Sequence, residues 1–202
     1  MFLTSSSLDL VSSFVEGLSS EFSIKDLGPV HHFLGVEIQS HFDSLHLSQS
    51  HYAHTILEQS HILHCQPMPT TLEACSTIEK DSTPVSDPSH FRGIIGALQY
   101  LNLTHPDLFY NVNYVSQFMN SPTMAHLKII HQILRNLKET THFGLYLRSN
   151  TSFDLSVFSD TDWAGCPTTR HSSYCTFLGS NIFSSCAKKQ QIVSRPSTKA
   201  EY

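Results

Sequence analysis

The chain has 202 residues, 40% of them apolar, and a formal net charge of −5 at neutral pH. That is enough apolar material for one or two buried cores, and no run approaches the ~18 uninterrupted apolar residues of a membrane span. Membrane insertion is therefore not expected, and the N-terminus lacks the basic stretch and apolar stretch of a secretory signal.

Five cysteines, Cys65, Cys75, Cys166, Cys175 and Cys186, are odd in number and lack CxxC spacing. Such usage points to reduced thiols inside a cell rather than to a disulfide framework or a zinc ribbon. Charge is unevenly spread: residues 1–127 hold 3 Lys/Arg against 12 Asp/Glu, net −9, whereas residues 128–202 hold 9 against 5, net +4. Lys128, Arg135, Lys138, Arg148, Lys188, Lys189 and Arg195 are thus candidates to meet phosphates. The alternative, scattered solvated charge, stays open.

In chain order, Leu8, Val11, Phe14, Val15 and Leu18 recur at helical spacing after Ser5-Ser6-Ser7, which predicts an amphipathic helix over residues 8–21 with a serine cap. Gly28-Pro29 turns the chain into a strand over 30–39, and His41-Phe42-Asp43-Ser44 turns it back into a second strand over 45–48. A helix over 49–59 follows, with Tyr52, Ile56 and Leu57 on its inner side. Residues 65–88 carry Pro67, Pro69, Pro84 and Pro88 among Thr, Ser and Glu, a composition that breaks both helix and strand, and read as a surface linker. Three helices are expected beyond it, over 91–101, 107–119 and 123–138. The last two each have a capping residue and a proline suited to the first turn.

Near the C-terminus, Val157 to Gly165 alternates apolar and polar residues and carries Asp160 and Asp162. On an extended strand these two acids share a face with Phe158, while Val157, Ser159 and Thr161 share the other. Paired carboxylates of this kind serve a cation, or else the strand runs out into a polar turn. Further strands are read within 174–179 and 181–186. His51 and His54, one helical turn apart, and His61, His64 and Cys65 allow a zinc site to be drawn, but four converging ligands with knuckle spacing are not there. His171, Ser172 and Cys175 are adjacent without a group to orient a base, so nucleophilic catalysis is not read from them.

Ser159-Asp160-x-Asp162-Trp163-Ala164-Gly165, then Cys175-Thr176-Phe177-Leu178-Gly179, Ala187-Lys188-Lys189-Gln190 and Val193-Ser194-Arg195-x-Ser197-Thr198-x-Ala200-Glu201-Tyr202, resemble the ribonuclease H region of Ty1/copia-type retrotransposon Pol polyproteins. Earlier blocks run in the same family order. Phe22 to Gly28, Phe33-Leu34-Gly35-Val36-Glu37-Ile38 and Leu47-Ser48-Gln49 are similar to the end of the reverse transcriptase palm. Phe91 to Leu101, Thr104-His105-Pro106-Asp107 and Val115 to Met119 are similar to the thumb and connection.

The resemblance implies that Asp160 and Glu201, with Asp162 as a further candidate, belong to a carboxylate site for Mg2+ that hydrolyses the RNA strand of an RNA–DNA hybrid. It implies an RNA–DNA hybrid or single-stranded nucleic acid as partner. It begins just after the position of the polymerase Asp-Asp pair, so polymerase activity is not expected. Several residues depart from the family pattern. His105 stands where arginine is usual, Ser185 where tryptophan is usual, Lys199 where an acidic or small residue is usual, and the turn from Arg170 to Tyr174 is about two residues short. They imply a copy no longer held to its chemistry.

The expected fold is α+β: a palm remnant with a hairpin (1–64), the linker (65–88), a helical thumb/connection-like part (89–143) and an incomplete ribonuclease H-like three-stranded sheet (144–202). The expected function is a catalytically inactive part of a Copia-type reverse transcriptase/ribonuclease H polyprotein. A residual Mg2+-dependent nuclease, and a nucleic-acid or protein binding module built on residues 88–148, stay open as alternatives.

Overall fold

The computed structural model describes residues 3–69, 81–161 and 171–189. Among these residues the architecture is α+β, with five α-helices and two antiparallel sheets. Helix α1 (Leu8–Glu21) occupies the span its apolar spacing predicts, but Ser7 at its N-cap makes no side-chain bond to the helix, and none of its residues is buried.

The strand expected over residues 30–39 is two strands, β1 (His32–Phe33) and β2 (Val36–Ser40), paired with Phe33 opposite Val36. Between them Leu34 and Gly35 have φ of 48° and 72°. Two successive left-handed residues make a mirror-image hairpin turn. Glycine adopts that conformation freely, whereas a bulky leucine there is strained. The Tyr100 hydroxyl holds Leu34 in place by donating to its carbonyl oxygen.

Strand β3 (Ser44–Ser48) returns along β2, and β4 (Gly144–Arg148) completes a sheet in the order β1-β2-β3-β4. Sequence reading groups residue 144 onward with the C-terminal strands, but β4 pairs with β3 instead, Leu47 facing Leu145 and His46 facing Tyr146. The approach is close at Gly144. A Cβ there would overlap the Leu47 carbonyl oxygen and lie 2.7 Å from His46 Nε2.

Four helices form the core. They are α2 (Ser50–Gln59), α3 (Pro88–Leu101), α4 (Phe109–Ser116) and α5 (Met124–Thr140). Helix α3 starts three residues before the expected 91, inside the supposed linker. Asp87 caps it by accepting from the Ser89 and His90 N–H groups at 2.9 and 3.0 Å, and Pro88 takes the first turn, where its missing N–H costs nothing.

The helix expected over 107–119 is shorter. A 3-10 turn, Pro106–Leu108, leads into α4. Beyond Ser116 the N–H groups of Gln117, Phe118 and Met119 bond back three residues, to Tyr114, Val115 and Ser116, which tightens the chain out of α-helix. Helix α5 is capped by Thr123, so Pro122 lies outside it, its carbonyl accepting from Val85 N–H at 3.1 Å.

Leu57, Phe91, Ile95, Leu98, Leu101, Leu108, Val115, Ile130, Ile133, Leu134 and Leu137 interlock in one cluster with at most 1% exposure. At roughly 1.5–3 kcal/mol per fully buried side chain, this cluster is the main source of stability.

The second sheet is β5 (Leu155–Thr161), β6 (His171–Leu178) and β7 (Asn181–Lys189), in that order. A bulge at Thr176/Phe177 interrupts the β6–β7 register. The two sheets are stitched together by one side chain. The Asn181 amide accepts from Arg148 N–H at 2.8 Å and donates to the Arg148 carbonyl at 2.9 Å.

Candidate nucleic-acid and metal site

Asp160 lies in β5 opposite Ser173, on the face that carries Phe158 and, diagonally across, Phe177. The two phenylalanine rings meet edge to face at 5.7 Å. Asp160 is exposed. The Ser173 hydroxyl donates to its backbone carbonyl at 3.4 Å, not to the carboxylate. One solvent-facing carboxylate supplies only part of a coordination shell, and magnesium is ordinarily held by one or two carboxylates together with waters and substrate phosphates. Asp162 and Glu201 lie outside the described residues, so no metal geometry is derived for them.

The cationic candidates are differently employed. Lys128 is exposed and pairs with Asp81 at 3.3 Å. Hydrogen bonds from the Thr83 hydroxyl and backbone N–H, followed by Lys128 itself, hold the Asp81 carboxyl below its usual range. Arg135 Nε donates to the Gln66 carbonyl at 2.7 Å, and Lys138 Nζ donates to the carbonyls of Leu63 and Cys65 at 2.6 and 2.7 Å. Asn136 adds bonds to the carbonyls of Met68 and Pro69 at 3.2 and 3.0 Å. The last two turns of α5 thus strap residues 63–69 to the helical core. Lys188 and Lys189 lie in β7, in register with Ser172 and His171.

Sequence reasoning missed a polar and aromatic locus where the first sheet meets the turn after α3. His46 on β3 is buried and stacks on Tyr146 of β4, centroids 4.4 Å apart and planes 24° off parallel. Burial, then the nearby His41, pushes the His46 pKa down. Next to it Gln49 is buried and accepts from the Thr104 hydroxyl at 2.9 Å. His105 is fully buried with neither ring nitrogen hydrogen-bonded, and its Nδ1 lies 3.7 Å from Asp107 Oδ1. The only sequence signal for the stack is the register of β3 with β4, which joins residues a hundred positions apart.

Residues 1–74 match the reverse transcriptase (RNA-dependent DNA polymerase) family. Over 99% of its length the chain is 48% identical to an uncharacterized mitochondrial protein of Arabidopsis thaliana, of which it covers 84%. It is also 38% identical, again over 99% of its length, to the retrovirus-related Pol polyprotein from transposon RE1 of the same plant.

The chain belongs to the Ty1/copia-type retrotransposon Pol family.

A yeast relative, the putative transposon Ty5-1 protein, is 31% identical over 92% of this chain. The chain spans 14% of the RE1 polyprotein. No solved structure matches it. This copia-type reverse transcriptase segment therefore comes from a family that works on nucleic acid with divalent metal ions, and its α+β class accords with that membership.

Proposed function

We propose that this chain is the part of Pol that runs from the end of the polymerase palm (1–64), across a connector (65–88), through thumb/connection-like helices (89–143), into a ribonuclease H-like region (144–202) whose first strand, β4, pairs back to β3. It binds nucleic acid weakly and catalyses neither polymerisation nor cleavage. Asp160, Glu201 and Asp162 are the ribonuclease H-like acids, and Lys128, Arg135, Lys138, Lys188 and Lys189 the nucleic-acid contacts. The observation that carries the reading is the sheet β5-β6-β7, three consecutive antiparallel strands whose first strand presents an exposed Asp160.

Loss of activity is supported by the residues around that sheet. Two-metal hydrolysis needs several acids closing on one pair of ions. Ser185 in β7 and Lys199, two residues before Glu201 in sequence, depart from the family pattern, and Arg135 Nε and Lys138 Nζ already donate to backbone carbonyls. The test is a labelled RNA–DNA hybrid incubated with the wild-type chain and with Asp160→Asn across a magnesium titration. Salt-sensitive binding with no cleavage by either protein is expected. Cleavage by the wild type that disappears in Asp160→Asn would replace this reading with a residual nuclease.

A further inference from the structure

We propose that the cleft between strands β3–β4 and the Thr104–Asp107 turn takes up one nucleobase of a single strand, guanine in preference to the other three. The inference rests on the nucleic-acid reading above and adds a ligand and a site to it. The cleft holds about 320 Å³, within the ~300–1,000 Å³ of small-ligand sites. Its working parts are Tyr146, His46, Phe143, His142, Thr104 and Asp107.

Three features fit a base. First, the walls are flat rings that are already ordered. Tyr146 is 56% exposed but backed by the buried His46, and Phe143, 49% exposed, is braced edge-on by His142 with centroids 4.8 Å apart. A ring fixed from behind loses little freedom when a base lies against it. Second, Gly144 makes the floor. With no Cβ, it leaves the His46 ring the room it occupies beneath Tyr146.

Third, the exposed carboxylate at the rim is an acceptor. Thr104 is buried behind the rim and donates its hydroxyl to Gln49 Oε1 at 2.9 Å. The Asp107 carboxylate is 47% exposed, with Oδ1 3.7 Å from His105 Nδ1. A carboxylate disfavours a phosphate in the cleft, so the base enters and the backbone stays outside. Guanine carries two adjacent donors on one edge, N1–H and the N2 amino group, and so matches both carboxylate oxygens. Adenine and cytosine set one amino donor beside a bare ring nitrogen, and uracil flanks its N–H with carbonyls.

The experiment measures fluorescence anisotropy of short labelled single strands with the whole chain, with GMP, AMP, CMP and UMP as competitors. GMP should compete about tenfold better than UMP, the size of one bidentate base contact. Tyr146→Ala should weaken strand binding by roughly tenfold, the loss of one stacked base. Asp107→Asn should bring GMP level with the other nucleotides. Thermal melting followed by circular dichroism checks each variant, and Phe143→Ala replaces Tyr146→Ala should the latter unfold.

Strand binding that survives these ring substitutions, or equal competition by all four nucleotides against the wild type, overturns the site and leaves the nucleic-acid reading standing. A wild-type chain that binds neither strand nor hybrid overturns both.

Discussion

The helices α2 to α5 and the sheet β5–β7 are built from similar shares of apolar residues, yet the helices bury theirs while the sheet leaves its own half-buried or exposed. In the helical region Leu134, Ile130, Ile133 and Leu137 of α5 are at 0% exposure among partners from α2, α3 and α4. In β5, Leu155, Val157 and Phe158 are at 68%, 59% and 65%, and no described residue of β5–β7 joins the core cluster. Periodicity decides the difference. A 3.6-residue repeat gathers the apolar side chains of a helix on one stripe that neighbours can cover, whereas the alternation in β5 sends Phe158 to one face and Val157 to the other. One region is held by packing and the other by strand pairing.

The sharpest way to break that contrast is a pair of truncations compared by chemical denaturation. Leu134→Ala should cost about 2–5 kcal/mol, since it removes buried methyl groups and leaves a cavity. Val157→Ala should cost less than about 1 kcal/mol, because its side chain is already mostly in water. Equal losses would mean that β5 is packed as tightly as α5.

The strap of residues 63–69 on α5 sharpens the comparison at an intermediate level. Lys138→Met keeps the aliphatic stem but removes the donor to two carbonyls, and should cost about 1–3 kcal/mol, since hydrogen bonds to charged groups are the stronger ones. Lys128→Met, at an exposed ion pair, should change stability by less than about 0.5 kcal/mol. A reversed order would show that the strap contributes nothing.

The smallest effect concerns pH. His126 completes the capping box of α5 by accepting from the Thr123 N–H at 3.0 Å through Nδ1, and it lies flat on Phe118 at 3.9 Å. Burial pushes its pKa below the ordinary value of 6.5, so the fold favours the neutral ring. His46 is shifted in the same direction. Below about 6.5 the unfolded chain binds more protons than the folded one, so these residues' contribution is whole above that pH and declines as pH falls toward the lowered folded values. His126→Gln preserves an N3 acceptor and removes the titration. It should flatten the slope of melting temperature between pH 7 and 5, and an unchanged slope would remove His126 from the account.

Much of the helical region was legible. The bounds of α1, the inner positions Ile56 and Leu57, and the order of elements all follow from spacing and turn residues. Errors fell where short-range chemistry competes with periodicity. Asp87-Pro88 is a helix start concealed in a proline-rich stretch, Gly35 turns an apparently continuous strand, and Pro106 begins a 3-10 turn that shortens α4. The partnership of β4 with β3 was hidden, because sheet pairing between residues a hundred apart leaves no local trace.

The candidate site divides in the same way. Asp160 stands out as an acid in an alternating strand, whereas the cleft around Tyr146 depends on that long-range pairing. Arg135 and Lys138 look free in sequence, yet Arg135 Nε and Lys138 Nζ already donate to backbone carbonyls.

Gly144 has a genetic meaning as well as a steric one. Every amino-acid replacement reachable from a glycine codon by one nucleotide change adds a Cβ, and here that atom would overlap the Leu47 carbonyl oxygen. Position 144 therefore has no conservative neighbour in mutational space. A single codon change there is enough to part β3 from β4.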